Sequence, residues 1–198
     1  MKGVLDKNRY FVRETTSLIK ASFSYDILDP ETGDVLMTCR EQHIGPLTKF
    51  FRFSDLRRIT PFDFLVADAQ GEPVIRLKRG LSFMVSRVHV YDESDIAVGG
   101  FSLRPFSISG IFDVLDATGE PVCELKGGLT GWNYRFLSPD EVELARVRKK
   151  WAGVGKELFA SGSDYVLEID EAVPPGGTTR QLLMASALCI GMILKIDA

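Results

Sequence analysis

The residues with the clearest chemical potential form a run of cations in the sequence ARVRKKW. An alternating strand would place Arg146, Arg148 and Lys150 on one face. The apolar residues Val147 and Trp151 would then lie on the opposite face. Three neighbouring cations can bind phosphate, and each is worth about 1 kcal/mol near an anionic bilayer. The pattern therefore predicts a row that binds anions or lipid head groups, and the alternative is that these cations protect an exposed edge strand from pairing.

Carboxylates dominate the segment that follows, residues 157–171, which has five acidic residues and no Lys or Arg. Asp164, Glu168 and Asp170 could supply three of the six to eight oxygen ligands that Ca²⁺ takes. Their spacing is not that of an EF-hand loop. Apolar and polar residues alternate over residues 165–170, which favours a strand whose acids point into solvent at a sheet edge. These three residues are therefore candidate calcium ligands, with a solvated strand as the alternative.

Catalytic motifs are absent from the sequence. His43 and His89 are the only histidines, so a paired-histidine metal site cannot form, and no G-x-S-x-G nucleophile motif occurs. The glycines before Lys156 resemble a phosphate-binding loop, but Glu157 stands where that loop needs Ser or Thr. His89 lies in the alternating segment VHVY and is expected to point into solvent. We therefore expect no catalytic residues and no enzymatic activity.

Composition narrows the function classes further. The chain has 198 residues with 24 Lys and Arg against 27 Asp and Glu, a net charge of −3. The chain lacks the overall positive charge that is typical of nucleic-acid-binding proteins. An anionic partner would therefore have to bind at a local cluster of cations. Cys39, Cys123 and Cys189 are odd in number and far apart, which argues against a disulfide framework and for a reducing compartment. The first residues contain no apolar run of signal-peptide length, so we expect a cytoplasmic protein. The chain length predicts a single domain spanning residues 1–198.

An internal repeat indicates the fold class. FLVADAQGEPVIRLKRG and FDVLDATGEPVCELKGG lie 48 residues apart, and looser copies begin near Tyr25 and Val88. Each copy contains Asp-x-x-Gly between two alternating segments, which is typical of a hairpin. We expect a positive φ at Gly71 and Gly119, because each closes such a turn. Short strands at this spacing predict a meandering antiparallel sheet, closed into a barrel.

The C-terminal segment breaks this pattern. Residues 178–196 read TTRQLLMASALCIGMILKI and are apolar on every side. Such a helix is either enclosed by protein or in contact with a membrane. Its apolar centre is thirteen residues long, from Leu182 to Leu194, whereas a membrane span needs about 20. The sequence therefore predicts a helix over about 178–196 that is buried inside the barrel.

Several blocks of sequence resemble a known family. They are NRYF, TPFDF, LKRGLSFMVSRVHVYD, GGFSLRPF, CELKGGLTGWNYRF and ARVRKKWAGVGKELF, and the resemblance as a whole covers about residue 8 to residue 196. The chain is similar in these blocks to the scramblase-like and LURP-one-related group. The resemblance implies a tubby C-terminal-like fold: mainly β, a closed antiparallel barrel of twelve strands that encloses a hydrophobic C-terminal α-helix.

The resemblance also suggests functions. Animal scramblases carry a calcium-linked acidic segment before the last helix, and tubby domains bind phosphoinositide head groups. This chain keeps Asp164 and Asp170 in that segment but has Gly or Ser where more carboxylates are expected. We therefore expect a non-enzymatic module without a required cofactor that binds anionic phospholipid at the inner membrane surface. The alternatives are a calcium-responsive phospholipid scramblase and a structural module that binds a protein partner.

Overall fold

The polypeptide closes into a barrel of twelve antiparallel strands. The structure, a computed structural model, describes residues 3–15, 24–42, 61–80, 87–103, 112–127, 133–149 and 164–196, with side chains of the last range described up to residue 190. Each strand pairs with its neighbours in sequence, and β1 closes the barrel by pairing with β12. The strands are β1 (Arg9–Glu14), β2 (Ser24–Leu28), β3 (Val35–Glu41), β4 (Phe62–Asp68), β5 (Pro73–Arg79), β6 (Arg87–Tyr91), β7 (Ala97–Leu103), β8 (Phe112–Asp116), β9 (Pro121–Gly127), β10 (Asn133–Leu137), β11 (Glu143–Arg148) and β12 (Tyr165–Ile169). A 3₁₀ helix (Gly3–Leu5) precedes β1, and helix α1 (Thr178–Ile196) follows β12.

The repeated Asp-x-x-Gly motif forms the turns between strands. In the turn from β4 to β5, Asp68 Oδ1 accepts hydrogen bonds from the backbone N–H groups of Gln70 (3.0 Å) and Glu72 (2.9 Å). The turn from β8 to β9 has the same bonds to Asp116. Gly71 and Gly119 have φ of 86° and 91°, which confirms the prediction that these turns need glycine.

Two further turns keep this geometry without glycine. Between β6 and β7, Asp92 Oδ1 accepts from the N–H of Ile96, and Asp95 takes the positive φ of 59°. Between β10 and β11, Ser138 Oγ accepts from the N–H of Val142, and Glu141 has φ of 62°. The degenerate copy near Val88 is therefore a hairpin like the others, and the turn tolerates a strained residue in place of glycine.

Helix α1 occupies the interior of the barrel. All residues from 180 to 190 are buried, and they contact the inward-facing side chains of the strands. The hydroxyl of Tyr165 on β12 donates to the carbonyl oxygen of Ala187 at 2.9 Å, which fixes the helix to the wall. The predicted helix and its enclosure by the barrel are confirmed. Within the described ranges, no helix is both long enough and apolar enough to cross a bilayer.

A buried arginine holds the helix at the mouth of the barrel. Arg180 is 2% exposed, and its Nε donates to the carbonyl groups of Val173 and Pro174. Its Nη1 donates to the carbonyl groups of Leu5 (3.2 Å) and Lys7 (2.7 Å). Its Nη2 donates to Val173 and to the side-chain oxygen of Asn8. The guanidinium therefore ties the N-terminal segment, the loop after β12 and α1 together, a role that the sequence analysis did not predict.

Candidate anion-binding site

Strand β11 presents its cations on the outer wall of the barrel. Ala145 and Val147 point inward and are buried, while Arg146 and Arg148 point outward with side chains 35% and 37% exposed. This is the alternation expected from the sequence ARVR. Lys150, the third member of the expected row, lies outside the described residues, as does Trp151.

Both arginines of this strand have carboxylate partners. Arg146 Nε and Nη2 each donate to the carboxylate of Glu143 at 2.9 Å, a bidentate pair that raises the pKa of Arg146. Arg148 Nη2 donates to Glu168 on the neighbouring strand β12. Each charge is therefore largely compensated by protein, and the two arginines attract an anion less than their number suggests.

Arg135 on the adjacent strand β10 is a cation without a carboxylate partner among the described residues. Arg135 lies directly opposite Arg146 of β11 on one side and Lys126 of β9 on the other. Lys126 has Glu141 at 3.2 Å and Glu124 at 3.7 Å. The side chain of Arg135 is exposed and has neither a hydrogen bond nor an ion pair with any residue in the described ranges. We call Lys126, Arg135 and Arg146 the cationic belt.

The belt places like charges side by side. Directly opposed like charges on neighbouring strands are destabilising in the absence of a counter-ion. The barrel tolerates them because Arg146 and Lys126 each have a carboxylate partner and because core packing holds β10 in place. Tyr134 and Phe136 are buried on the inner face. A Cβ on Gly127 would lie 2.4 Å from the Tyr134 ring, so this glycine lets the ring pack against β9. Core packing therefore fixes Arg135 in a position that favours an anion.

Sequence reasoning missed Arg135, although a signal for it exists. The sequence NYRF alternates like ARVR, with the aromatic residues inward and Arg135 outward. The turn at residues 138–142 joins the two strands and brings Arg135 opposite Arg146. The row expected along one strand is therefore supplemented by a belt across three strands, which becomes apparent only when the hairpin register is known.

A groove beside the belt has the wrong charge for an anion. It lies over β1, β11 and β12, has a volume of about 440 Å³ and includes Arg9 and Arg146 in its lining. Four carboxylates also line it, from Glu143, Glu168, Asp170 and Glu171. Carboxylates outnumber guanidinium groups two to one, so an anion is favoured at Arg135 rather than in this groove.

The candidate calcium ligands do not come together. Asp164 is fully buried and accepts a hydrogen bond from the N–H of Glu14. Glu168 points outward and pairs with Arg148, and Asp170 accepts from the N–H of Ala172 in the turn after β12. Among the described residues, no group of three or more Asp, Glu, His or Cys residues could hold a metal ion. The strand interpretation of this segment is correct for Glu168, whereas Asp164 faces protein rather than solvent.

The edge-strand interpretation is wrong for both segments. β11 pairs with β10 and β12, and β12 pairs with β11 and β1. Because the barrel is closed, neither strand has a free edge to protect. The cations of β11 and the acids of β12 therefore need a different explanation from protection against edge pairing.

Three further cations of the barrel are engaged with protein groups. Arg76 forms a bidentate pair with Asp63, Lys78 lies 3.4 Å from Asp95, and Arg79 is buried over the Phe62 ring. The sequence has other cations at Arg57, Arg58 and Arg104, which lie outside the described residues, as does Trp132. His89 is exposed on β6, as expected. Burial raises the pKa of Cys39 and of Cys123 to about 12, so both thiols stay protonated and unreactive at neutral pH.

Comparison with known proteins identifies the family. The structure is similar to an X-ray structure of a protein from Arabidopsis thaliana, with a TM-score of 0.51, 14% sequence identity and full coverage of both chains. At this identity the likeness concerns the fold alone. No curated protein matches the chain. The model of the scramblase family matches residues 14–197, nearly the whole sequence. Together with the twelve-stranded barrel around a C-terminal helix, this match shows that the chain belongs to the scramblase family.

Proposed function

We propose that this barrel binds anionic phospholipid head groups at a membrane surface through the cationic belt, with Arg135 as the residue that contacts phosphate. The observation that carries the proposal is that Arg135 is exposed and unpaired among the described residues while it lies between two other cations. Membership of the scramblase family supports a lipid-related role. Proteins of this family are in general not enzymes, which is in keeping with binding rather than catalysis.

The chemistry of the belt suits a phosphate group. A guanidinium has five N–H donors in a planar fork that matches two phosphate oxygens. Arg146 and Lys126 add positive potential on both sides of Arg135, although their own carboxylate partners weaken it. Arg148 adds a further cation at the end of β11, and Lys150 remains a candidate on the sequence alone. The belt faces solvent, so binding should weaken as salt screens its charges.

Co-sedimentation with vesicles tests the proposal. The wild-type protein should sediment with vesicles that contain phosphatidylserine and remain in solution with pure phosphatidylcholine. Arg135→Glu changes the local charge by two, which at about 1 kcal/mol per charge predicts a roughly thirtyfold loss of affinity. Arg135→Gln should lose about fivefold on the same scale. The melting temperature should hardly change, because the side chain of Arg135 is exposed and has no hydrogen bond or ion pair in the part of the chain that the structure describes.

A matched control separates the site from overall charge. Arg87 is also exposed and without a partner among the described residues, and it lies on β6, four strands from Arg135. Arg87→Glu has the same net charge as Arg135→Glu and should lose much less affinity. Equal losses in the two variants would show that only net charge matters. A wild type that ignores phosphatidylserine vesicles would contradict the proposal itself.

Calcium separates this function from scrambling. Binding through the belt needs no metal ion, so affinity for phosphatidylserine vesicles should be the same with calcium and with a chelator. A strict calcium requirement would instead favour the calcium-responsive scramblase. The chelator experiment uses the same protein and the same vesicles, so the two outcomes can be compared directly.

A further inference from the structure

Acidic residues are concentrated at one end of the barrel. Because consecutive strands alternate in direction, the turns after β2, β4, β6, β8, β10 and β12 all lie at the same end, which we call the turn end. These six turns, residues 29–34, 68–72, 92–96, 116–120, 138–142 and 170–173, contain fourteen of the chain's 27 acidic residues. They contain no Lys or Arg.

Turn geometry explains only part of this concentration. A carboxylate at the first position of the turn accepts backbone hydrogen bonds, and this accounts for Asp29, Asp68, Asp92, Asp116 and Asp170. The other nine acids are exposed. Asp34 accepts from the hydroxyl of Thr32, and Asp95 and Glu141 pair with Lys78 and Lys126. Glu93 and Glu120 are examples of turn acids whose carboxylates accept no turn hydrogen bond from the described residues. The turn end therefore carries more negative charge than folding requires.

The opposite end of the barrel has the opposite charge balance. In each strand, the three residues that lie farthest from the turns form this opposite end. Together these positions hold nine Lys or Arg and five Asp or Glu. Arg135 and Arg148 are among the nine, so the proposed lipid site lies in the positive half of the molecule. The charge of the barrel is thus separated along its axis, a feature that the net charge of −3 conceals.

We infer that the barrel meets an anionic membrane in one orientation, with the turn end directed away from the bilayer and the far ends of β9–β11 directed towards it. This inference rests on the proposed function. The strands are roughly 15–20 Å long, more than the Debye length of about 8 Å at physiological salt. Asp95 and Glu141 are exceptions among the turn acids, because they pair with Lys78 and Lys126. The acidic end is then screened from the membrane when it points away. In the reverse orientation its carboxylates lie within the screening distance and repel the surface.

Two single-cysteine labels can measure the orientation. The three native cysteines are buried, so the folded protein should label only at an introduced site. Ala117→Cys places a fluorophore in the turn between β8 and β9, and Asn133→Cys places one at the far end of β10; both positions are exposed. The full chain is bound to phosphatidylserine vesicles that carry a nitroxide quencher on a fraction of the head groups. The label at position 133 should be quenched severalfold more than the label at position 117.

Charge reversal at the turn end provides the second measurement. Glu93→Lys combined with Glu120→Lys reverses two exposed charges in neighbouring turns and leaves the belt intact. In this background the label at position 117 should be quenched more strongly than before. Equal quenching of the two labels in the wild-type charge background overturns the inferred orientation but leaves lipid binding standing. A protein that does not sediment with the vesicles at all overturns the proposed function and this inference with it.

Discussion

The mouth of the barrel and its outer wall use the same side chain in opposite ways. At the mouth, Arg180 is buried, and every N–H of its guanidinium donates to an oxygen of the surrounding chain. On the outer wall, Arg135 is exposed and has no such bond among the described residues. A guanidinium whose donors are all used stabilises the fold, whereas one whose donors are unused is available to a ligand.

This difference predicts opposite consequences for substitution at the two sites. The oxygen atoms around Arg180 lose their donors if the guanidinium is removed, and those of Leu5 and Val173 belong to buried residues. Buried acceptors without donors are costly. No buried group depends on Arg135, so the energetic effect of changing it should be confined to binding.

The largest effect is expected for Arg180→Met, which keeps the volume of the side chain and removes its donors. Several buried hydrogen bonds are lost together, so we expect a decrease of about 3–5 kcal/mol in the free energy of unfolding. Urea denaturation of the wild type and the variant measures this change. Arg180→Lys should lie between them, because an ammonium group has fewer donors and cannot reach all the acceptors at once.

Arg135→Met is the matched control for this prediction. It should change the free energy of unfolding by less than about 0.5 kcal/mol, as is usual for exposed positions away from special features. Similar losses of stability in the Arg180 and Arg135 variants would mean that the mouth and the outer wall do not differ in the way described.

The sequence predicts the features that depend on nearby residues. Asp68 and Gly71 belong to one turn, so their types alone indicate its geometry. The all-round apolarity of α1 likewise indicates its burial. Arg180 could not be predicted, because its acceptors at Leu5 and Lys7 are 175 and 173 residues away and are backbone groups, which any residue type can provide. The cationic belt could not be predicted either, because it depends on which residues of neighbouring strands lie opposite each other. Alternation along one strand shows only which face of the sheet each side chain is on.

Asp164 shows the same limit within one segment. The alternation over residues 165–170 predicts that Glu168 points into solvent, and the sequence makes Asp164, just before this segment, a candidate calcium ligand. The structure instead buries Asp164, where it accepts from the N–H of Glu14 on β1. A distant strand decides whether this carboxylate is solvated, so the spacing in the sequence alone cannot place it relative to Glu168 and Asp170.

A smaller effect is expected when a guanidinium on the outer wall is released from its partner. Glu143→Gln removes the carboxylate that pairs with Arg146 in two hydrogen bonds. The belt then gains about one unit of positive charge, so affinity for phosphatidylserine vesicles should rise about fivefold. Stability should fall by no more than about 1 kcal/mol, because the ion pair is partly exposed.

Glu120→Gln is the control for this variant, since it makes the same change in net charge in an exposed turn far from the belt. Its affinity should rise much less. If Glu143→Gln binds no better than the wild type, the charge of Arg146 does not contribute to the site, and the belt is reduced to Arg135 and Lys126.

The smallest effect concerns Glu141, which links the turn to the belt. Its φ of 62° is unfavourable for a residue with a side chain, and its carboxylate lies 3.2 Å from Lys126. Glu141→Gln should remove the ion pair and keep the strain, whereas Glu141→Gly should remove both. We expect the glycine variant to be more stable than the glutamine variant by up to about 1 kcal/mol, and thermal unfolding of the two proteins measures the difference. Both variants remove one of the two carboxylates near Lys126 and leave Glu124 at 3.7 Å, so both should bind phosphatidylserine vesicles slightly and equally better than the wild type. Unequal affinities would show that the turn conformation, and not only the charge near Lys126, affects the belt.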